Sequence, residues 1–193
     1  MPDGIVVLLQ TARLSLRQFT VADVGNLVEL DSDPEVMQFL TGGLPTPRAE
    51  IEDVILPAWL EYYALGPLVG FWAAEDRATG EFLGWFHLRP GEGHADDEPE
   101  LGYRLCRRAW GRGLATEGSR ALVDLAFAEG TARRVVAETM VVHGASRRVM
   151  EKIGMKVVRV FRADWPYRIP GDEFGDVEYA VGRDEWRRPT APG

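Results

Sequence analysis

Three short apolar segments follow one another in the middle of the chain, LVGFWAAED, EFLGWFHLR and ELGYRL. The tetrapeptide RATG joins the first two, and a polar, glycine-containing run joins the second to the third. Segments of this length that are rich in aromatic and aliphatic residues and bounded by turn residues predict β-strands. Because a tight connection can join only antiparallel neighbours, the first two strands are expected to pair antiparallel. The middle of the chain is therefore predicted to form a meander.

Further helical and strand segments flank this meander. Leu14 and Leu16 alternate with arginines, which is typical of a half-buried strand, and helix starts follow, one of them with Asp33 as its N-cap. A later helical segment contains Pro57, which is expected to break or kink it. After the meander the order is helix, strand, helix, strand, strand. This order predicts an α/β (α+β) fold with a mixed, mostly antiparallel sheet and helices on both faces.

Composition limits the class of protein. The chain has 193 residues, of which 46% are hydrophobic, and is predicted to be a single domain over residues 1–193, with its core at about 10–186 and a loose tail at 187–193. The net charge of −8 argues against a surface that binds nucleic acid or an anionic membrane. A single cysteine, Cys106, cannot form an internal disulfide, and we find no secretory leader or spanning apolar run. These features predict a cytoplasmic protein.

The meander ends in the stretch RLCRRAWGRGLATEG, residues 104–118, which leads into a helical segment. A turn between a strand and a helix N-terminus presents unpaired N–H groups and the positive end of the helix dipole, and both favour an anion. Gly111 and Gly113 have no Cβ, so phosphate oxygens can approach the backbone closely, while Arg108 or Arg112 can add charge. The alternative is a plain turn whose arginines are solvated.

Two common phosphate-binding motifs fit this stretch poorly. A P-loop needs Gly-Lys followed by Ser or Thr, and the chain contains no such tripeptide. A dinucleotide-binding fingerprint needs a third glycine where Thr116 stands, and only Glu138, near the end of the next strand, supports that interpretation. Binding of a nicotinamide cofactor through Gly111 and Gly113 is therefore kept as a minor alternative.

The same stretch resembles a different signature. Arg108-x-x-Gly111-x-Gly113 fits the acetyl-CoA signature Gln/Arg-x-x-Gly-x-Gly/Ala of the GCN5-related N-acetyltransferase (GNAT) family, and GRGLATEG resembles its form in the RimJ/RimL-type branch, the ribosomal-protein acetyltransferases. The segments TARLSLRQFTVAD, DPEV, ELGYRL and ASRRVMEKIGM resemble other parts of that branch in the same order, over roughly residues 10–182. By this collinear resemblance the chain is identified as a member of the family.

The resemblance implies a GNAT fold and acetyl-CoA as co-substrate, with no metal. In this fold the strands containing ELGYRL and RRVVAETM splay apart, so the pantetheine arm can pair with the exposed strand edge. Backbone groups near Leu105 and Cys106 would then hold the pantetheine. The diphosphate is expected to lie against the turn and the helix start, at Arg108, Ala109, Trp110, Gly111, Arg112, Gly113, Leu114 and Ala115. For Trp110, packing is the favoured role.

Three further residues acquire roles from the same resemblance. Glu100 corresponds to an acidic residue that some family members place near the substrate amine, where it acts as a base directly or through water; the alternative is a solvated strand-end charge. Ser146 matches a serine that donates a hydrogen bond to the leaving CoA thiolate, although an N-cap role is also open. His143 stands where the family commonly has Asn, so CoA affinity or acyl preference is expected to differ.

The predicted activity is transfer of an acetyl group from acetyl-CoA to a primary amine by direct attack in a ternary complex. A protein N-terminus, a polyamine and an amine-bearing small molecule are the candidate acceptors. The alternatives are a non-catalytic acyl-CoA-binding or regulatory domain, and a transferase for another acyl-CoA such as succinyl-CoA. The loop that begins at His94 is interpreted as a solvated acidic loop and not a metal site. A homodimer is left open.

Overall fold

The computed structural model describes residues 6–163 and 168–186, and this part of the chain contains an eight-stranded sheet. The strands are β1 (Val7–Gln10), β2 (Leu14–Gln18), β3 (Gly70–Asp76), β4 (Phe82–Pro90), β5 (Pro99–Leu105), β6 (Arg134–Met140), β7 (Lys156–Phe161) and β8 (Asp176–Gly182). They lie in the order β1-β2-β3-β4-β5-β6-β8-β7. All neighbours pair antiparallel except β5 and β6, which are parallel. The predicted mixed sheet is confirmed. The tail predicted at 187–193 lies outside the described residues.

Helices lie in the connections between β2 and β3, β5 and β6, and β6 and β7. They are α1 (Val24–Ser32), α2 (Pro34–Met37), α3 (Arg48–Glu50), α4 (Leu56–Glu61), α5 (Leu114–Ala128) and α6 (Gly144–Lys152). Asp33 caps α2 as predicted, because its carboxylate accepts a hydrogen bond of 3.0 Å from the Glu35 amide. None of the helices within residues 6–163 and 168–186 is long and apolar enough to cross a bilayer.

Pro57 does not end its helix, contrary to one of the two outcomes expected for it. A π-helical turn, Ile51–Ile55, lies between α3 and α4, and the chain continues through α4 into a 3-10 turn at Tyr62–Ala64. Proline has no N–H, so the regular α-helical pattern cannot run through it. The π turn, with its wider hydrogen-bond pattern, ends two residues before the proline and keeps the segment helical.

Alternate residues of β4 face two different helical layers. Phe86 packs against α5 at Gly118, where a Cβ atom would lie 2.3 Å from Phe86 Cζ. Trp85, the residue before it, belongs to a separate cluster with Leu27 of α1 and Leu56 of α4. Successive side chains of a strand point to opposite faces, so the meander is covered on both sides. This confirms the prediction of helices on both faces.

β5 and β6 are joined at only one point. Their register contains a single pair, Glu100 with Val136, whereas β5 pairs with β4 along its whole length. Both strands run away from this pair toward the glycine-containing turn and α6. The predicted splay is therefore confirmed, and it leaves an edge of β5 unpaired beside a cleft.

Candidate cofactor and acceptor site

A cavity of about 1060 Å³ occupies the cleft between β5 and β6. One end is lined by the turn before α5, and the other by Glu100 of β5 and Glu138 of β6. Its lining is mostly apolar with a few polar groups, as is usual for small-molecule sites. The volume is large enough for a ligand of several hundred daltons. Most of the residues predicted for the site line this one cavity.

The glycine-containing turn has the backbone geometry of an anion cradle. Gly111 and Gly113 adopt positive φ values of 71° and 77°, which residues with a side chain rarely adopt. Gly113 is the N-cap of α5, and the first N–H groups of a helix have no partner within it. In the described residues, the amides of Gly111, Arg112 and Gly113 have no main-chain acceptor either. Ala109, Trp110, Gly111, Gly113, Leu114 and Ala115 all line the cavity.

Neither of the predicted cationic side chains on this turn lines the cavity. Arg108 donates a hydrogen bond of 2.6 Å to the Phe82 carbonyl and forms an ion pair with Glu29 at 3.1 Å. Arg112 lies beside Asp76 at 3.7 Å. Both guanidinium groups are thus neutralised by acids on the outer side of the turn, and only the backbone of the turn is left for a ligand.

Cys106 is located away from the cavity as well. It is buried in the cluster under α1 and α4, burial raises the pKa of its thiol, and its amide donates to the Leu83 carbonyl at 2.9 Å.

Leu105 does line the cavity, but its carbonyl accepts a hydrogen bond of 2.8 Å from Trp110 Nε1. Trp110 is 46% exposed, and its indole N–H fixes it over the end of β5. A packing role for Trp110 is consistent with this contact.

Ser146 and Tyr103 meet where the two strands have separated. The Tyr103 hydroxyl lies 3.0 Å from Ser146 Oγ and 3.0 Å from the Ser146 carbonyl oxygen. Both residues line the cavity, and burial raises the pKa of Tyr103 to about 12, so the phenol stays protonated at neutral pH. Ser146 lies in the first turn of α6, as predicted, but its hydroxyl is not the cap of that helix.

His143 lies at the N-terminus of α6 and also lines the cavity. Burial, together with the positive charge of Arg148, lowers the pKa of His143 to about 4. The imidazole is therefore neutral at physiological pH. Arg148 and Lys152, one turn apart on α6, line the same cavity and bring positive charge to it.

Glu100 lies at the far end of the cavity, paired with a cation. Arg89 Nη2 is 2.7 Å from Glu100 Oε2, and His87 Nε2 is 3.7 Å from Oε1. Burial alone would raise the pKa of Glu100, but His87 and Arg89 more than offset it, so the net pKa lies below the usual range. Glu100 is therefore a stable carboxylate and a weak proton acceptor.

His87 was not predicted from the sequence. It faces Gly102 across β4 and β5, where any Cβ would lie 2.5 Å from the imidazole, and neither ring nitrogen has a hydrogen-bond partner among the described residues. Burial lowers the pKa of His87 despite the adjacent Glu100. The signal that would have located it is the alternation of β4, which places Trp85 and His87 on one face.

Glu138 is a second carboxylate at the same end, and sequence reasoning connected it only with a dinucleotide. Burial and the negative charges of Glu100 and Glu178 raise its pKa. The nearest basic side-chain atoms are His94 Nε2 at 3.7 Å and Arg159 Nη2 at 3.9 Å, and no described residue donates a hydrogen bond to it. Glu138 therefore combines access to the cavity with a higher proton affinity than an ordinary glutamate.

His94, Glu138 and Glu178 can bring one ligand atom each within 4.8 Å of the others, a spacing that a metal ion could bridge. However, both carboxylate oxygens of Glu178 accept hydrogen bonds from arginines, Arg134 at 3.0 Å and Arg159 at 2.6 Å. Positive charge thus already balances Glu178, the most buried of the three residues. The cluster fits an ion-pair network better than a metal site.

Comparison with known proteins identifies the family. The model of the acetyltransferase (GNAT) domain matches residues 13–156. The chain belongs to the GNAT acetyltransferase family. The predictions of this family and of an acyltransferase enzyme are confirmed.

Relatives of this GNAT domain include the FsC-acetyl coenzyme A-N(2)-transacetylase of Aspergillus fumigatus, which is 36% identical over 95% of this chain and 80% of its own length. The solved structure of RimL, a ribosomal L7/L12 alpha-N-protein acetyltransferase in complex with coenzyme A, has a TM-score of 0.75 at 19% identity over 91% of this chain and 97% of its own. An acetyltransferase of the GNAT family from Bacillus anthracis has a TM-score of 0.73 at 21% identity over 94% and 100% of the two chains. These structures establish the shared fold.

Proposed function

We propose that the protein is an N-acetyltransferase that moves an acetyl group from acetyl-CoA to a primary amine. The observation that carries this proposal is a single cavity that connects the anion cradle at Gly111 and Gly113, through the gap between β5 and β6, with the two carboxylates Glu100 and Glu138. Such a cavity accommodates a long ligand with an anionic end, a narrow middle and a reactive tip beside a base.

Backbone amides from Gly111 to Ala115 would hold the diphosphate of acetyl-CoA, at the positive end of the α5 dipole. Arg148 and Lys152 supply the positive charge that the side chains of Arg108 and Arg112 do not direct into the cavity. The unpaired edge of β5 would bind the amides of the pantetheine arm as an added strand does. Of the predicted cofactor residues, Gly111, Arg112, Gly113, Leu114 and Ala115 are thus proposed for their backbone amides. The amides of Cys106, Ala109 and Trp110 already donate to main-chain carbonyls.

Attack on the thioester requires a neutral amine, and a free alkylamine with a pKa near that of lysine, about 10.4, is mostly protonated at neutral pH. Glu138 suits the role of proton acceptor because its pKa is raised and no strong ion pair occupies it. Glu100, held as a carboxylate by Arg89, would attract the ammonium group into place. Two carboxylates with opposite pKa shifts can divide the tasks in this way.

The neutral amine then attacks the thioester carbonyl carbon and forms a tetrahedral intermediate. The carbon–sulfur bond breaks, CoA departs as a thiolate, and the thiolate takes up the second proton of the amine nitrogen, which leaves the amide and free CoA thiol. Ser146 Oγ would donate a hydrogen bond to the sulfur as negative charge develops on it. Tyr103 can turn its proton from the Ser146 carbonyl to Ser146 Oγ, since both acceptors lie 3.0 Å away. No acyl-enzyme forms in this series of reaction steps.

The acceptor is proposed to be a cationic primary amine: a protein N-terminus, a polyamine or an amine-bearing small molecule. The fungal relative is named as an N(2)-transacetylase, and RimL as an alpha-N-protein acetyltransferase; both names describe transfer to nitrogen. The acidic end of the cavity and the net charge of −8 favour such acceptors. A homodimer and a cytoplasmic location stay predictions.

The test is incubation with acetyl-CoA and a panel of amines, following release of the free thiol and acetylation of the amine by mass spectrometry. The panel contains a polyamine, a short peptide with a free N-terminus and a small diamine. Turnover on at least one amine is expected. Tight CoA binding without turnover on any amine would favour a non-catalytic acyl-CoA sensor, and binding of NADP but not CoA in parallel calorimetry would overturn the proposal.

A further inference from the structure

The segment around α2 lines the cavity and is anchored at both ends. At its start, Asp33 accepts a hydrogen bond of 2.6 Å from Arg107 Nε, and Glu35 pairs with the same guanidinium group. Arg107 lies in the turn that leads to the anion cradle. At its other end the segment reaches Phe39, which contacts a residue on the opposite side of the cleft.

That contact is a stack between Phe39 and His143. The two ring centroids are 4.2 Å apart and the ring planes are inclined by 21°. Carbon atoms in contact are about 3.5–4.0 Å apart, so no ligand atom fits between the rings. Both residues line the cavity, one from the α2 side and one from the N-terminus of α6. The stack therefore forms a continuous part of the cavity wall.

The wall lies close to the proposed reaction centre. His143 precedes Ser146 by three residues at the start of α6, and a helical turn advances about 5.4 Å along its axis. The proposed donor to the thioester sulfur and the aromatic wall are thus about one turn apart. The wall is uncharged at neutral pH, since burial lowers the pKa of His143 to about 4.

We propose that the Phe39–His143 stack is the wall that limits the length of the acyl chain and makes acetyl the preferred group. The proposal rests on the proposed acyl-CoA transfer. An acetyl methyl group fits in front of the stack, whereas each further methylene of a longer chain must displace the rings. The stack is a specificity determinant, and neither ring takes part in bond making.

The experiment compares acetyl-, butyryl- and hexanoyl-CoA on wild type, Phe39→Ala and Phe161→Ala. Phe161 is a matched control, because it is another phenylalanine that lines the same cavity but takes no part in the stack. The first readout is the ratio of kcat/KM for hexanoyl-CoA to that for acetyl-CoA, with one amine. The second is the corresponding ratio of dissociation constants, measured by calorimetry without any amine.

Phe39→Ala is expected to raise the hexanoyl-to-acetyl ratio about tenfold or more, as pocket truncations do for added methylenes, while Phe161→Ala leaves it at the wild-type value. An unchanged ratio in Phe39→Ala, in both readouts, would overturn the proposal. Phe39→Leu, which keeps apolar volume but removes the flat ring, replaces Phe39→Ala if that variant does not fold.

If wild type binds acyl-CoA but acetylates no amine, the proposed function fails, and the ratio of dissociation constants still decides the role of the stack. An increase in that ratio confined to Phe39→Ala would uphold the wall, and equal ratios in all three proteins would exclude it.

Discussion

The Tyr103 hydroxyl lies 3.0 Å from Ser146 Oγ, across the gap between β5 and α6. This contact connects a buried phenol to the residue that we propose as hydrogen-bond donor to the leaving thiolate. When Ser146 turns its proton to sulfur, Tyr103 can donate to the Oγ atom and stabilise it. The two side chains therefore form one donor chain.

Ser146→Ala is expected to lower kcat about 100-fold, because one donor to developing negative charge is lost. Tyr103→Phe keeps that donor and is expected to lower kcat about tenfold. Steady-state kinetics together with calorimetric CoA affinities check this, and CoA affinity should not change. In the double variant the losses should not add, since both act through the same hydroxyl; fully additive losses would mean that the residues act independently.

A comparison of Gly113→Ala with Gly80→Ala should distinguish a loss of CoA affinity from the stability cost of backbone strain. Both glycines are exposed and have similar φ values, 77° and 74°. A Cβ atom would lie 3.7 Å from Arg13 Nη2 at Gly113, an ordinary contact, and would meet nothing within 4 Å at Gly80. Each substitution should reduce the free energy of unfolding by about 1–2 kcal/mol. Only Gly113→Ala should also weaken CoA binding, by about tenfold, or about 1.4 kcal/mol. Equal CoA affinities in the two variants would show that the anion cradle takes no part in CoA binding.

The pH profile should tell the two carboxylates apart. With Glu138 as base, kcat/KM should fall on the acidic side at a pH above the ordinary range of a glutamate, because the pKa of Glu138 is raised. Glu138→Gln should remove this limb and lower the rate about 100-fold or more, whereas Glu100→Gln should mainly raise KM for the amine. If the acidic limb survives in Glu138→Gln and disappears in Glu100→Gln, Glu100 is the base.

The Arg17–Asp23 pair should make folding stability sensitive to acid. Both side chains are buried, with Arg17 Nη2 2.8 Å from Asp23 Oδ1. Burial acts to raise the pKa of Asp23, but hydrogen bonds from Arg17 and the Thr20 amide lower it overall. Since the folded pKa is depressed, the stabilisation is fully present above the unfolded pKa of about 3.9 and is lost as pH falls through the folded value.

Asp23→Ala is therefore expected to reduce the free energy of unfolding at pH 7 by about 3 kcal/mol, because the buried guanidinium of Arg17 loses the buried carboxylate that pairs with it. Urea unfolding between pH 2 and pH 7 would measure this, and the difference from wild type should shrink at the acidic end. Glu52→Ala, which breaks the exposed pair with Arg48, is the matched control and should cost at most about 0.5 kcal/mol. A similar loss in both variants would contradict the buried-pair explanation.

Several features of the fold and site follow from local signals in the sequence. The meander, the cap at Asp33 and the turn at Gly111 and Gly113 depend on residues near one another in the chain, so periodicity and glycine placement predict them. The directions of side chains depend on register instead. Arg108 and Cys106 belong to the stretch that resembles the cofactor signature, yet the ends of β5 and the turn direct their side chains away from the cavity.

The residues that sequence reasoning missed come together only through strand pairing. His87 faces Gly102 because β4 and β5 align at that register, and Tyr103 reaches Ser146 over 43 positions of sequence. Burial, together with the negative charges of Glu100 and Glu178 on two other strands, raises the pKa of Glu138. A single sequence contains no direct signal for such pairs, because each residue alone is an ordinary strand residue.

The single pair between β5 and β6, Glu100 with Val136, has a consequence for how the protein unfolds. The two parts of the sheet are coupled there by one register pair, where a continuous sheet would have a full ladder. A pantetheine arm bound along β5 would act as a missing strand, so the co-substrate would be part of the folded architecture as well as a reactant. Ligand-linked stability grows with the logarithm of concentration, and the enzyme's resistance to heat and proteolysis would therefore follow the acyl-CoA level of its surroundings.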